Sequence, residues 1–249
     1  MRVSAQLYTV RQCGDLSDQL RLVAACGFTD VETTGLHDLS PRQMARIVHQ
    51  SGLNVRSAHF DWEEFDTRFD EVVEVMGLLE CQVAVMPWLA PQVRPDTARG
   101  WMAVSGQLSE WADQLGEHGI RLAYHNHDFD LVGNPGETPL DQILAQGNVY
   151  WQPDVGWLQA SGLDPAATLT LHADRILSVH AKDIDPDAGT GDECWRDLGE
   201  GVVDWGATLN ALAHSNCTDL FVEHDESSNH RRTLNTGRMF LTEQLIGAT

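Results

Sequence analysis

Short runs rich in β-branched and aromatic residues recur along the chain, each followed by a stretch with helical spacing of apolar positions. The runs occupy residues 3–8, 30–33, 55–60, 83–87, 120–125, 149–154, 176–180 and 220–223, and they predict eight strands. The stretches between them predict helices. Ser40 followed by Pro41 offers an N-cap and a proline at the first helical position, ahead of Met44, Ile47 and Val48. Val72, Val73, Val75, Met76, Leu78 and Leu79 form a mostly apolar stretch suited to a buried helix face. Between residues 96 and 118, Trp101, Val104, Leu108, Trp111 and Leu115 fall three and four apart, the spacing of one helix face. Gly27, Gly52, Gly119 and Gly147 stand where helices would close before the next strand.

Strict alternation of strand and helix leaves an open doubly wound sheet or a closed (β/α)8 barrel. The count of eight and the absence of a GxGxxG turn after the first strand favour the barrel. At 249 residues the chain has the usual length of one such barrel, so residues 1–249 are read as a single α/β TIM-barrel domain. The one long irregular stretch, residues 183–203, is rich in Asp and Gly and is expected to be a functional lid.

Composition narrows the partners. With 16 Lys+Arg against 37 Asp+Glu the formal net charge is −21, which disfavours nucleic acid and anionic membrane surfaces. No run approaches the ~18 apolar residues of a membrane span, and the N-terminus leads into a strand pattern rather than a signal peptide. Five cysteines without a CxxC spacing suggest reduced thiols and a cytoplasmic setting.

The polar residues gather at strand C-terminal ends, where barrel enzymes place their chemistry. Glu32 ends the second strand and His59 the third. His125, Asn126 and His127 end the fifth, and Asp154 the sixth. His180, Lys182 and Asp183 end the seventh, and Glu223, His224 and Asp225 the eighth. Taken singly, each would more readily be a helix cap or a hydrogen-bonded surface group. Together they are different, because the fifth to eighth strands each end in a potential ligand. Imidazoles and carboxylates without thiolates suit one shared divalent ion, with Mn, Co, Zn, Fe and Mg as candidates. His37, His49, His118, His172, His214 and His230 lie away from strand ends and read as structural. Trp88, Trp157 and Trp195 are candidates to stack on a sugar face or to fill the core. Lys182, two residues after His180, points the same way and could stabilise an oxyanion, act as an acid, or pair with Asp154 or Glu32. Gly199-Glu200-Gly201 reads as a turn rather than a phosphate cradle.

Five motifs occur in order: Tyr124-His125-Asn126-His127, Pro153-Asp154-Val155-Gly156-Trp157, His180-Ala181-Lys182-Asp183, Gly199-Glu200-Gly201, and Val222-Glu223-His224-Asp225. With the opening Gln6-Leu7-Tyr8, this series resembles the sugar phosphate isomerase/epimerase family of the xylose isomerase-like TIM-barrel superfamily, in its Tyr-His-Asn-His branch. That superfamily also holds inosose dehydratases, ketose epimerases, hydroxypyruvate isomerases and metal-dependent apurinic-site endonucleases. The resemblance implies a metal set of Glu, Asp, His and Glu on strands five to eight. Asp154, His180 and Glu223 match the last three, while His125 stands at the first position, with His127 as its rival.

The resemblance further implies a metal-dependent isomerase, epimerase or related dehydratase acting on a sugar or keto-sugar through an enediolate-type intermediate. Glu223 would move the proton, with His125, His127 or Lys182 as partner. Glu32, His59, Trp88, Trp157 and Asp225 would hold the substrate. Homo-oligomerisation is left open. The alternatives are an apurinic-site endonuclease-like hydrolase, which the acidic charge opposes, and a non-catalytic sugar-binding barrel, which His125 alone encourages.

Overall fold

Strands form at all eight predicted runs: β1 (Arg2–Gln6), β2 (Asp30–Thr34), β3 (Asn54–His59), β4 (Val83–Met86), β5 (Arg121–His125), β6 (Val149–Gln152), β7 (Ser178–Ala181) and β8 (Asp219–Val222). The computed structural model describes residues 1–134, 136–189 and 191–247. Every barrel pairing is parallel, in the spatial order β6-β5-β4-β3-β2-β1-β8-β7. Parallel bridges Trp151–Ile176 and Asp154–His180 join β6 to β7, with His180 N donating to Pro153 O at 2.9 Å. The ring therefore closes, as the count of eight requires.

The helices follow the apolar spacing. Ala98–Gly116 buries Trp101, Val104, Leu108, Trp111 and Leu115. Trp111 meets the rings of Trp62 and Phe65 at centroid distances of 4.6 and 5.3 Å. Pro41–Ser51 starts at Ser40, whose N–H is accepted by Gln43 Oε1 at 3.0 Å, and stops at left-handed Gly52 with φ 73°. Phe69–Leu78 buries Val72, Val75 and Met76, whereas Val73 and Leu78 are only half-buried. Gly27 and Gly119 are also left-handed, but Gly147 is not; Arg175 instead ties down that turn by donating to Gly147 O at 3.0 Å.

Two departures from the sequence pattern position the site. β1 stops at Gln6, whose Oε1 accepts from Tyr8 N at 3.2 Å, so Leu7–Val10 turns into a 3-10 helix and carries Tyr8 to the barrel mouth. The second concerns the stretch 183–203, expected as a lid: residue 190 lies outside the described residues, and on either side of it the chain is tied to the barrel by Asp183. The buried Asp183 carboxylate accepts from Ile184 N (3.0 Å), Gly199 N (2.9 Å), Val203 N (3.2 Å) and Trp205 Nε1 (3.0 Å). Asp183–Ile184 pairs antiparallel with Trp195–Arg196, and Ile184, Trp195, Leu198 and Val203 are buried. A Cβ on Gly201 would fall 2.1 Å from Asp183 Oδ1, so glycine is what lets the turn close on the anchor. Asp183→Ala would leave the donors of buried Ile184, Val203 and Trp205 without an acceptor and should cost about 3–5 kcal/mol, measured by urea unfolding.

Among the described residues, no helix is long and apolar enough to cross a membrane. All five cysteines are free.

Candidate active site

A cavity of about 520 Å³ opens at the C-terminal ends of the strands. His59, His125, His127, Lys182 and Glu223 line its depth, and Tyr8, Asp61, Glu64, Trp88, Asp225 and Glu226 lie nearer the loops. At its base, donor atoms of His125, Asp154, His180 and Glu223 all lie within 4.8 Å of one another, and all four residues are buried. His127 is not in that group, so of the two strand-five histidines it is His125 that the fold brings to the other three.

Asp154 answers both readings of its sequence position. Its Oδ1 accepts from Trp157 N at 2.9 Å and so caps the helix Val155–Ala160. Oδ2 is buried, 2.9 Å from Lys182 Nζ and 3.8 Å from His125 Nε2, yet accepts no hydrogen bond of sound angle. Asn126 fixes the backbone there, its Oδ1 accepting from Asp154 N at 3.1 Å and from Trp151 Nε1 at 3.0 Å.

His180 is clamped between two carboxylates, with Nδ1 2.7 Å from Glu223 Oε2 and Nε2 2.5 Å from Glu32 Oε1. Burial alone would lower its pKa, but Glu223 and Glu32 outweigh burial and raise it to about 10. The carboxylates respond in the opposite sense. Burial raises Glu32 and Glu223, but His59 and His180 hold Glu32 well below the usual range, and His180 with Lys182 does the same to Glu223. His125 and His127 are neutral imidazoles: burial pushes both down, aided by His180 for His125 and by Lys182 for His127, which falls to about 3.

Lys182 is buried against the rings of Trp157 and Trp195, its Nζ 5.6 and 4.8 Å from their centroids. The ammonium sits 2.9 Å from Asp154 Oδ2, 3.1 Å from Glu223 Oε2 and 2.8 Å from Asp225 Oδ1. Burial would lower its pKa, and these three carboxylates raise it well above the usual value instead. Of the salt bridges expected for Lys182, the one to Asp154 forms and the one to Glu32 does not.

Most of the residues expected to hold substrate do line the cavity: His59, Trp88, Trp157 and Asp225. Glu32 does not. It lies fully buried beneath the site, because β2 runs on through Thr33 and Thr34 above it. Its oxygens accept from Gln6 Nε2 and Gln152 Nε2, each at 2.6 Å, and from Ser57 Oγ, and they face His59 and His180. The expected contact with substrate is thus replaced by a role beneath it, orienting the imidazole of His180. A carboxylate behind a metal-binding histidine typically contributes 10–100-fold in affinity. Glu32→Gln should lower divalent-metal affinity by roughly that factor, measured by chelator competition. Trp195 also misses the cavity and backs Lys182.

Several site residues escaped the sequence reading. Gln6, Ser57 and Gln152 build the hydrogen-bonded floor, and strand parity could have found Gln152, two residues before Asp154. Asp61 and Glu64 are the N-cap and its partner on the helix Trp62–Thr67, a D-x-x-E pattern legible as a cap but not as a cavity wall.

The site's elements and the closed ring agree with the motif series. Residues 20–243 match the xylose isomerase-like TIM barrel family. The chain belongs to this family. It is similar to the rhizopine catabolism protein MocC of Rhizobium meliloti, at 26% identity over 245 residues, covering 86% of this chain and 75% of that protein. An inosose dehydratase of Clostridium botulinum is 20% identical over 259 residues, covering 89% of this chain and 87% of the relative. Among solved structures, an IOLI protein with a bound zinc atom superposes with a TM-score of 0.78 at 18% identity, covering 99% of both chains.

Proposed function

We propose that this xylose isomerase-like barrel is a divalent-metal-dependent enzyme that moves a proton at the carbon beside a carbonyl of a sugar or sugar-derived ketone. Isomerases, epimerases and dehydratases of such ketones share that opening step. The observation that carries the reading is the buried quartet His125, Asp154, His180 and Glu223, with donors within 4.8 Å of one another. Two imidazoles and two carboxylates are an ordinary ligand set for Zn, Mn, Co or Fe. Asp154 Oδ2, buried without a sound hydrogen bond, is the kind of acceptor such an ion would satisfy. A relative described as an inosose dehydratase and a fold neighbour with bound zinc support the assignment.

His125, Asp154, His180 and Glu223 would hold the ion, His180 through Nδ1 while Glu32 keeps Nε2. When bound, the ion would act as a Lewis acid on a substrate carbonyl. The chain supplies the rest. Glu223 lines the cavity beside His180 and is placed to accept a proton by position rather than by basicity, which His180 and Lys182 lower. His127, at the cavity wall against Trp157, is the second group placed beside the substrate space. Lys182 stays charged and can balance negative charge developing on oxygen. Trp88 and Trp157 offer apolar faces to a ring's C–H groups. An endonuclease reading is not favoured, since the cavity rim carries Asp61, Glu64, Asp225 and Glu226 where a DNA backbone would need cations.

The test is elemental analysis after loading with Mn, Co or Zn, with about one ion per chain expected. Stoichiometry unchanged in the double variant His180→Ala, Glu223→Gln would sink the assignment.

A further inference from the structure

We infer that the substrate of this site carries no phosphate group and is a neutral polyhydroxylated ketone. The inference rests on the sugar-site reading above and adds to it the charge of the ligand.

Three observations converge. The first is the cavity wall. Lys182 is its one lysine or arginine among the described residues, and that ammonium lies within 3.1 Å of Asp154, Glu223 and Asp225. The wall otherwise presents Asp61, Glu64, Asp225 and Glu226, so acidic groups outnumber basic ones even after a divalent cation is added.

The second is the loops after strands seven and eight, where (β/α)8 barrels commonly bind phosphate through backbone amides. Several of those amides are already engaged: after β8, His224 N donates to Thr9 Oγ1 and Glu226 N to His224 Nδ1. After β7, Ile184, Gly199 and Val203 donate their N–H groups to the buried Asp183 carboxylate and so are not free to hold an anion. After β8 the chain offers Asp225 and Glu226. The helix N-termini at the mouth are filled in the same way: Glu64 N donates to Asp61 Oδ1 at 2.8 Å, and Trp157 N to Asp154 Oδ1 at 2.9 Å.

The third is the fate of the arginines that approach the rim. Arg11 stacks on Tyr8, donates to Asp225 O at 2.7 Å, and pairs with Glu226 at 2.5 Å. Arg94 lies 3.5 Å over the ring of Phe129, donates to Leu89 O at 2.7 Å, and is not part of the wall. Among the described residues of the wall, a phosphate dianion would thus meet like charge without a free cation or amide cradle. Hydroxyl groups fare differently, because they donate hydrogen bonds and the rim is rich in acceptors.

The experiment uses the Mn-loaded full chain with ribulose, xylulose and fructose, each beside its terminal phosphate ester, and with an inosose. Substrate C–H exchange with deuterated water is followed by NMR, and calorimetry tests inorganic phosphate against metal-free protein. The expected result is exchange on neutral compounds with at least roughly 100-fold preference over the paired esters, and no heat from millimolar phosphate. Glu226→Gln, which releases Arg11, should move that preference at least about tenfold toward the ester. Esters exchanging as well as their neutral partners would overturn the inference and leave the sugar-enzyme reading standing. Phosphate binding abolished by Arg94→Gln would overturn it too, by revealing a subsite there. Exchange on none of the compounds, with metal bound, would overturn the sugar-enzyme reading and this inference with it.

Discussion

Glu223→Gln should slow substrate proton exchange by roughly 10²–10⁴-fold, the range set by losing a positioned acid–base group. Glu223 Oε2 lies 2.7 Å from His180 Nδ1 and 3.1 Å from Lys182 Nζ, and Glu223 lines the cavity, so on the proposed function its carboxylate faces the substrate. Glutamine keeps the shape and one acceptor oxygen but cannot hold the proton. Metal saturation separates the two consequences: affinity falls as well, yet exchange should stay slow after the ion is restored. Two histidine variants give the contrast. His125→Ala removes a member of the quartet and should lower metal affinity roughly 10–100-fold or more. His127→Ala lies outside the quartet and should leave the metal bound while slowing exchange. If His127→Ala loses the metal and His125→Ala retains it, the two roles are reversed. Wild-type exchange in Glu223→Gln at saturating metal would exclude Glu223 as the group that moves the proton.

The barrel was legible because every strand announces itself locally. Each run pairs with its neighbours in the spatial order a closed ring needs, and even the long helix Ala98–Gly116 buries the five residues its spacing marks. The quartet was legible for a related reason: strand ends converge on one axis, so membership follows from position along the strand. What position alone could not resolve was depth. His125 and His127 share the same parity, and only the distances show that His125 joins Asp154, His180 and Glu223. Glu32 was misplaced by the same ambiguity. The pairing of β2 with β3 shifts between Val31 and Glu32, setting Glu32 opposite Ser57, so the carboxylate lies a layer below the mouth. Within 183–203 the anchoring of the described residues was not legible for a different reason. The stretch's Asp and Gly content reads as a functional lid, and one of those aspartates is the buried anchor that gathers four donors around it. Composition records that the residue is polar; three of its partners, sixteen to twenty-two residues away, make it structural.

Metal affinity should rise about tenfold per pH unit between pH 6 and 8.5, because the ion must displace a proton from His180. In the metal-free chain that imidazole keeps its proton to about pH 10, held by Glu223 and Glu32. His125 and His127 are already neutral in this range and contribute no further release. Lys182 remains charged throughout. Asp154 is raised by burial and by Glu223, so toward the acid end a second proton leaves on binding and the slope steepens. The same groups set the stability of the metal-free protein. His180 is raised from its ordinary 6.5, so its contribution is complete below about pH 6.5 and is lost as pH rises toward 10. Glu32 and Glu223 are depressed, so theirs is complete above their ordinary 4.5 and is lost as pH falls through their lowered values. Chelator-treated protein should therefore lose melting temperature from pH 6.5 upward. The Mn-loaded protein should lose less, since the ion takes over the proton's place between the carboxylates. Calorimetric melting with and without Mn over pH 5.5–8.5, beside chelator competition at each pH, measures both slopes. An affinity flat with pH would mean that no proton leaves on binding, and His180 would then have to be struck from the ligand set.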